Sequence, residues 1–184
     1  FNLFINDIFL FIDASYIANY ADDNTQYATE KNVNELLKLF EKETNVILNW
    51  FKVNEMKSND DKCHLIVPNN SGTSVKLGRE IIKAEDSVTL LGVIIDDKLD
   101  FTSHVKLLLK KGNQKLHALA RISKYVRRDK LKLIMNTFIK SQFRYCPLLW
   151  MHHCRTLDNK INKLHERALR IVYEKDELSS DERL

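Results

Sequence analysis

Apolar residues recur along the first half of this chain at spacings that distinguish helices from strands. Between Val33 and Phe51 they return every three or four positions, which predicts one long amphipathic helix. Asn32 precedes this run with Glu35 three residues later, a pairing typical of a helix start, and Asn54 indicates the exit. The predicted apolar face contains Val33, Leu36, Leu37, Phe40, Ile47, Leu48 and Phe51.

Three shorter apolar segments predict β-structure around this helix. The segment KCHLIV at 62–67 predicts a strand that ends at the turn-rich PNNSG. The segment VTLLGVII at 88–95 predicts a second, nearly continuous strand that is buried on both faces. The aromatic stretch at 16–28 is also strand-like. The first half is therefore expected to combine a sheet with a helix, which is the α+β class.

Beyond Thr102 the pattern becomes helical, with a break at Pro147. Residues at core spacing form three groups: Leu116, Leu119, Ala120 and Ser123; Leu131, Ile134, Met135, Phe138 and Gln142; and Ile161, Leu164, Ala168 and Ile171. No window holds the eighteen or so consecutive apolar residues that a membrane span requires, so no membrane partner is expected.

Charge divides the chain near residue 101. Residues 1–101 hold 10 Lys and Arg against 17 Asp and Glu, a net charge of −7, whereas residues 102–184 hold 19 against 8, a net charge of +11. Such asymmetry between halves suggests a nucleic-acid partner. We predict domains at 1–101 and 102–174, followed by a polar tail at 175–184.

One basic row accompanies the last predicted helix. Each member lies one position before a core residue, about 100° around the helix, so the row flanks the buried face. It can follow a phosphate backbone or form an ordinary solvated face. We name it the basic row; its members are Lys160, Lys163, Arg167 and Arg170.

Two features of the sequence concern the extent of the polypeptide and its cellular setting. Phe1 stands where a Met would begin translation, and the opening segment has no basic leader, so we expect a piece of a longer polypeptide. Three cysteines without framework spacing favour reduced thiols, hence an intracellular setting in cytoplasm and nucleus.

The adjacent carboxylates of Asp22 and Asp23 are the strongest candidate for chemistry. Two unit charges about 4 Å apart repel by about 4 kcal/mol at an effective dielectric of about 20. Either a bound divalent cation offsets this repulsion, because Mg²⁺ takes carboxylate ligands, or the pair lies in an exposed turn.

Three other clusters of residues give weaker indications of function. Cys146 and residues 152–154 (HHC) contain zinc-capable side chains, but core or surface roles near a helix break are the competing interpretation. Asp96 and Asp97 form a second acidic doublet that is interpreted as a loop. The run YCPLLWM at 145–151 is either an exposed patch that binds a protein or packing against neighbouring helices. No phosphate loop, catalytic-triad order or HExxH pattern appears.

Segments that resemble five motifs of one enzyme family follow one another along the chain, and the fifth motif comprises two segments. They are FNLFINDI at 1–8, YADD at 20–23, NEMKSNDDKCHLIV at 54–67, LLGVIIDDKLDFTSHV at 90–105, and the helical segments YCPLLW and NKINKLHERALRIVY. With them the chain resembles the C-terminal half of the reverse transcriptase domain, an RNA-directed DNA polymerase, of jockey-like non-LTR retrotransposons. The resemblance implies a partial polymerase palm followed by an all-helical thumb-like region.

The resemblance also implies a role for the doublet. In such polymerases it lies at the tip of a β-hairpin and binds the Mg²⁺ (or Mn²⁺) ions that align a primer 3′-hydroxyl with a deoxynucleoside triphosphate. Asp22 would be a metal ligand, Asp23 its catalytic companion in the same metal site, and Tyr20 the aromatic residue beside the primer end.

Further roles follow from the same resemblance. Lys62 would help pyrophosphate to leave, and the strand around Leu91, Gly92 and Val93 would position the primer. The basic helices, including the basic row, would hold the duplex of RNA template and DNA primer.

The family's other metal-binding aspartate belongs to an earlier motif that these 184 residues do not contain, nor do they contain the fingers. We therefore expect the fragment alone not to polymerise. The alternative is a non-catalytic remnant that binds nucleic acid, and a helical domain that binds protein is a third hypothesis.

Overall fold

The structure, a computed structural model, describes residues 2–57, 59, 62–70, 72–78, 80–151 and 155–173. The predicted tail at 175–184 lies outside these residues. Helices and small antiparallel sheets together confirm the α+β class. The described residues form two compact units that divide between Val88 and Thr89. The charge-based boundary near residue 101 stays a prediction.

The first unit contains two helices and two β-hairpins. A short helix and a 3₁₀ turn come first, a hairpin and a long helix follow, and a second hairpin closes the unit. The elements are α1 (Asn2–Ile5), a 3₁₀ helix (Asn6–Phe11), β1 (Tyr16–Tyr20), β2 (Asp23–Tyr27), α2 (Val33–Val53), β3 (Ser74–Leu77) and β4 (Glu80–Lys83).

Helix α2 confirms the predicted element and both of its ends. The Asn32 side chain accepts the backbone N–H of Asn34 at 2.9 Å, and the helix ends at Asn54. Ile47 is buried, together with Trp50, against residues of α1 and the 3₁₀ helix. The rest of the predicted apolar face is only half-buried.

The strand predicted at 62–67 is wrong. Only Leu65 makes a β contact there, an isolated parallel bridge to Ala84. The hairpin of β3 and β4 instead follows PNNSG, and its strands contain Lys76, Glu80 and Lys83. Gly78 follows β3 with φ +60°, a left-handed conformation that glycine adopts readily.

The single strand predicted at 88–95 is also wrong. The chain forms two strands there, β5 (Ser87–Leu90) and β6 (Val93–Asp96), which pair with each other. Leu91 and Gly92 form the turn between them with φ of +47° and +82°. Positive φ at both central positions is the pattern of a type I′ hairpin turn, in which Gly supplies the second position. Only Val93 of this hairpin is buried.

The second unit is built from helices around one apolar core. Its helical elements are α3 (Thr102–Ile122), α4 (Arg128–Ile134), a π-helix (Met135–Lys140), a 3₁₀ helix (Ser141–Phe143), α5 (Pro147–Trp150) and α6 (Arg155–Tyr173). Leu116, Leu119, Ile161, Leu164 and Ala168 are buried as predicted. No helix in the described ranges is long and apolar enough to cross a membrane.

Several predicted core positions of the second unit need correction. Phe138 is 57% exposed, whereas Leu131 and Met135 are buried as predicted, together with Ile139 and Phe143, which the sequence did not predict. These four recur every fourth residue because the chain passes through the π-helix, whose wider turn rotates each later position away from the 3.6-residue pattern. Ala120, beside the buried Leu119, is exposed at the edge of its stripe. On α6, Val172 is fully buried and Ile171 only half-buried.

The apolar run at 145–151 divides between core and surface. Trp150 is buried, and its Nε1–H donates to the Tyr145 carbonyl oxygen at 3.1 Å. Leu148, two residues earlier, is 85% exposed. Packing against the core is thus confirmed for Trp150, whereas Leu148 faces water, and binding of a protein by this run stays a prediction.

Helix α3 approaches its neighbours closely at Gly112. A Cβ atom at that position would lie 2.8 Å from Leu164 Cδ1 on α6, 2.8 Å from Gln142 Nε2 and 3.1 Å from Phe143 Cζ. Real Cβ contacts are longer, so only glycine fits without a shift of the surrounding side chains.

Candidate functional site

The Asp22–Asp23 doublet lies at the tip of the β1–β2 hairpin. Tyr20 pairs with Asp23 in the ladder, so Ala21 and Asp22 form a two-residue turn between them. Ala21 has φ +54°, and positive φ at the first turn position is what a type II′ turn requires. The Asn24 side chain donates to the Asp22 carbonyl oxygen at 3.3 Å, which supports the turn from its second strand.

The side chains at this tip face water. Asp22 and Asp23 are exposed, and Tyr20 is 67% exposed. Tyr20 and Asp23 are cross-strand partners, so they share one face of the hairpin. Neither carboxylate has an ion pair within the described part of the chain. Both are thus accessible to a ligand, and water screens their mutual repulsion.

The hairpin is attached to α2 through a buried carboxylate. Glu43, only 5% exposed, accepts the backbone N–H groups of Ser15 and Ala14 at 2.8 Å and of Asp13 at 3.2 Å. Burial works to raise the pKa of Glu43, but the Ser15 side chain and these backbone donors outweigh it and hold the pKa below its ordinary value of 4.5. The segment entering β1 is therefore fixed by an ionised side chain.

A second set of polar contacts continues this attachment into β2. Gln26 donates through Nε2 to Ser15 Oγ at 2.8 Å, and its Oε1 accepts the Thr44 hydroxyl at 2.6 Å. Thr44 follows Glu43 on α2, so one turn of that helix contacts both the segment entering β1 and strand β2. The tip is exposed, whereas the base of the hairpin is hydrogen-bonded to a helix.

The donor chemistry at the tip fits half of a magnesium site. Mg²⁺ is commonly held by one or two carboxylates together with waters and substrate phosphates, and Asp22 and Asp23 supply the carboxylates. No group of three or more His, Cys, Asp or Glu side chains that could hold a metal occurs among the described residues. A dication at this tip would therefore need oxygen ligands from substrate or from further protein.

Lys62 is exposed in the loop between α2 and β3. Its backbone N–H donates to the Asn59 carbonyl oxygen at 3.0 Å. No hydrogen bond or ion pair joins its side chain to Asp22 or Asp23 in the ranges that the structure describes.

Leu91 and Gly92 form the exposed β5–β6 turn rather than the middle of a strand. The Leu91 carbonyl oxygen accepts the Tyr145 hydroxyl at 2.8 Å, which ties this turn to the segment before α5. The two residues predicted to contact a primer are thus presented by a turn of fixed position within the second unit.

The other clusters identified in the sequence form no metal site in the part of the chain that the structure describes. Asp96 Oδ1 accepts the Asp100 N–H at 3.0 Å, and Asp100 Oδ1 accepts the Thr102 N–H at 2.7 Å at the start of α3. The Asp96–Asp97 doublet thus belongs to a structured turn, in line with the loop interpretation. Cys146 is half-buried, and residues 152–154 lie outside the described residues.

Three members of the basic row line a groove between α3 and α6. Its volume is about 370 Å³. Lys160, Lys163 and Arg167 line the α6 side and are exposed, while Arg170 is exposed but does not line it. Lys106 and Asn113 line the α3 side, and the apolar members are Leu109, Leu157 and Leu164.

Lys106 and Asn113 are the functional candidates that the sequence alone did not reveal. They stand seven residues apart with Leu109 between them, which places all three on one face of α3. That pattern was available in the sequence, but which helix lies opposite this face depends on tertiary packing.

No protein-family model, curated protein or solved structure matches this chain. The family resemblance therefore rests on the motifs themselves and stays a prediction.

Proposed function

We propose that this chain is the C-terminal palm and thumb part of an RNA-directed DNA polymerase of a mobile element. The observation that carries the proposal is the hairpin tip, where two exposed carboxylates adjoin an exposed tyrosine on a hairpin anchored to a helix. Its reaction would be nucleotidyl transfer to a primer 3′-hydroxyl in the intracellular setting expected above. An RNA template, a DNA primer and deoxynucleoside triphosphates would be its partners.

The residues of the tip have separate roles in this proposal. Asp22 and Asp23 supply carboxylate oxygens to Mg²⁺ or Mn²⁺, and the Tyr20 ring supports the primer end. A divalent ion held there would supply positive charge to the attacking and leaving oxygens of an in-line displacement. Glu43 acts at a distance by fixing the entry to β1. Lys62 and the Leu91–Gly92 turn keep the roles that the resemblance gives them.

The fragment alone is proposed to be inactive. The motif that supplies the family's other metal-binding aspartate has no counterpart in the sequence, and two adjacent carboxylates cannot hold both ions of a two-metal site. Primer extension on an RNA template tests this directly. Nucleotide incorporation by the purified chain that disappears in Asp22→Asn would contradict it.

Metal binding at the tip is the first property to measure. Paramagnetic Mn²⁺ should broaden the NMR amide signals of residues 20–24 before those of residues 96–100, the second acidic turn. Asp22→Asn should remove the selective broadening, while Asp97→Asn should leave it unchanged. Equal broadening at both turns would count against a metal site at the hairpin.

Activity is then measured on a longer polypeptide. If the transcript upstream of Phe1 holds an open reading frame with a further palm aspartate, the protein it encodes should extend a primer. Asp22→Asn should abolish extension in that protein. An intact frame whose product has no activity with either Mg²⁺ or Mn²⁺ would contradict the enzymatic proposal.

The second candidate function is nucleic-acid binding without chemistry. The groove between α3 and α6 favours it, because four cationic side chains line the groove and no acidic side chain does among the described residues. Such binding needs no divalent ion. Retention of nucleic-acid binding in the presence of a chelator, in a protein with no metal binding at Asp22, would favour this candidate over the first.

A further inference from the structure

The groove between α3 and α6 has cationic side chains on both sides. Lys106 stands on α3, and Lys160, Lys163 and Arg167 stand on α6. The two acidic residues of α6, Asp158 and Glu166, do not line it. None of the four cations has an ion pair within the described ranges, so their charge is available to a ligand.

The spacing of these cations matches a repeating anion. Lys160 and Lys163 are separated by about 4.5 Å along the helix axis, and Lys163 and Arg167 by about 6 Å, at a rise of about 1.5 Å per residue. Successive phosphates of one nucleic-acid strand have a comparable separation. A continuous polyanion fits this row better than one isolated anion does.

The size of the groove distinguishes between forms of nucleic acid. Three leucines, Leu109, Leu157 and Leu164, lie between the two charged sides and are each at most 8% exposed, and the groove has a volume of about 370 Å³. A duplex is too wide to enter a groove of this size, so its backbone would reach only one charged side. A single strand can lie between the two sides and meet cations from both.

We propose that the α3–α6 groove binds single-stranded nucleic acid, with Lys106 contacting the backbone from the side opposite the basic row. This proposal rests on the proposed function, because it specifies which form of nucleic acid the helical unit binds. It differs from the expectation that the basic row follows a duplex from one side. Asn113 lies at the rim and contributes an uncharged amide.

The test is binding of the full chain to a fluorescein-labelled oligothymidylate of about 12 nucleotides. For a single strand, removing one cation that neutralises a phosphate reduces the slope of log K against log salt by about 0.7. Lys106→Gln should therefore weaken binding about eightfold at about 50 mM salt and about fourfold at about 150 mM. Fluorescence anisotropy across a salt series measures both effects.

Two further variants serve as a control and as a gain-of-affinity test. Lys111→Gln is the matched control, because Lys111 is an exposed lysine of the same helix that does not line the groove; its effect should stay below about twofold. Asn113→Lys adds a cation at the rim and should tighten binding about fourfold at about 150 mM salt. Circular dichroism shows whether each variant is folded, and a gain of affinity in a folded variant does not arise from loss of structure.

The outcomes separate this proposal from the enzymatic one. Equal losses in Lys106→Gln and Lys111→Gln would overturn the groove as the site. Tighter binding of a duplex of the same length, with the same dependence on Lys106, would overturn the single strand as its occupant. A chelator of divalent ions should leave binding of the oligonucleotide unchanged, so failure of metal binding at the hairpin leaves the groove result intact.

Discussion

Glu43 accepts the backbone N–H of Ser15 at 2.8 Å, joining the middle of α2 to the start of β1 across 28 residues of chain. A buried carboxylate is costly unless it is hydrogen-bonded, and here three consecutive backbone donors meet it. The contact fixes the base of the hairpin, and the exposed carboxylates stand at its other end. Stability of the first unit and orientation of the candidate site thus depend on the same side chain.

Glu43→Gln should destabilise the chain by about 1–3 kcal/mol, because an amide NH₂ group would face backbone N–H donors and leave some of them unpaired. Urea denaturation followed by circular dichroism measures the change. Glu41→Gln is the matched control, since Glu41 is a half-buried residue of the same helix away from its first turn, and its effect should stay within about 0.5 kcal/mol. Equal effects of the two substitutions would show that the Glu43 contacts contribute nothing.

Acid should remove the stabilisation that Glu43 provides. Its pKa in the folded chain lies below 4.5, so the unfolded chain binds the proton more readily and stability falls as the pH falls below about 4.5. The difference in unfolding free energy between the unchanged protein and Glu43→Gln should be constant above that pH and shrink below it. A difference that grows on acidification would contradict this assignment of charge.

Ala21→Gly should stabilise the hairpin modestly. Left-handed backbone costs an alanine about 1–2 kcal/mol, and glycine avoids this cost but loses about 0.5–1 kcal/mol through its freedom in the unfolded chain. A net gain of about 0.5 kcal/mol is expected in thermal or urea unfolding. A loss of stability would indicate that Ala21 has negative φ in solution.

Ile139→Ala should cost about 2–5 kcal/mol, whereas Phe138→Ala should cost less than about 1 kcal/mol. Ile139 is 1% exposed and its neighbour Phe138 is 57% exposed. A regular α-helix with the apolar face predicted from the sequence would give the opposite order. Urea denaturation of the two variants therefore tests whether the π-helix forms in solution.

Elements with local signals could be predicted from the sequence. Asn32 and Asn54 delimit α2 because helix caps are properties of a few neighbouring residues. The core face of α6 likewise follows from its 3.6-residue period, apart from its last turn.

Elements that depend on backbone conformation could not be predicted in this way. An apolar run such as VTLLGVII does not show that Leu91 adopts positive φ, and the composition of residues 135–140 does not show that a π-helix rotates Phe138 outward. Each strand of the β3–β4 hairpin has only two apolar residues, so a search for longer apolar runs does not detect it.

The candidate site was likewise predictable only where its residues are close in sequence. The acidic doublet is adjacent in sequence, and its strand-like flanks indicate a turn between strands. The α3 side of the groove combines Lys106 and Asn113 with residues that lie about fifty positions away, and only packing brings these together.

Gly112 precedes Asn113 on α3 and contacts Leu164, which lies in the floor of the groove. Gly112 thus permits the close packing of α3 and α6, because a Cβ atom there would displace the Leu164 side chain. The shape of the floor that a bound strand would meet therefore depends on a position behind that floor. The selectivity of this groove for one form of nucleic acid would then be a property of helix packing as much as of charge.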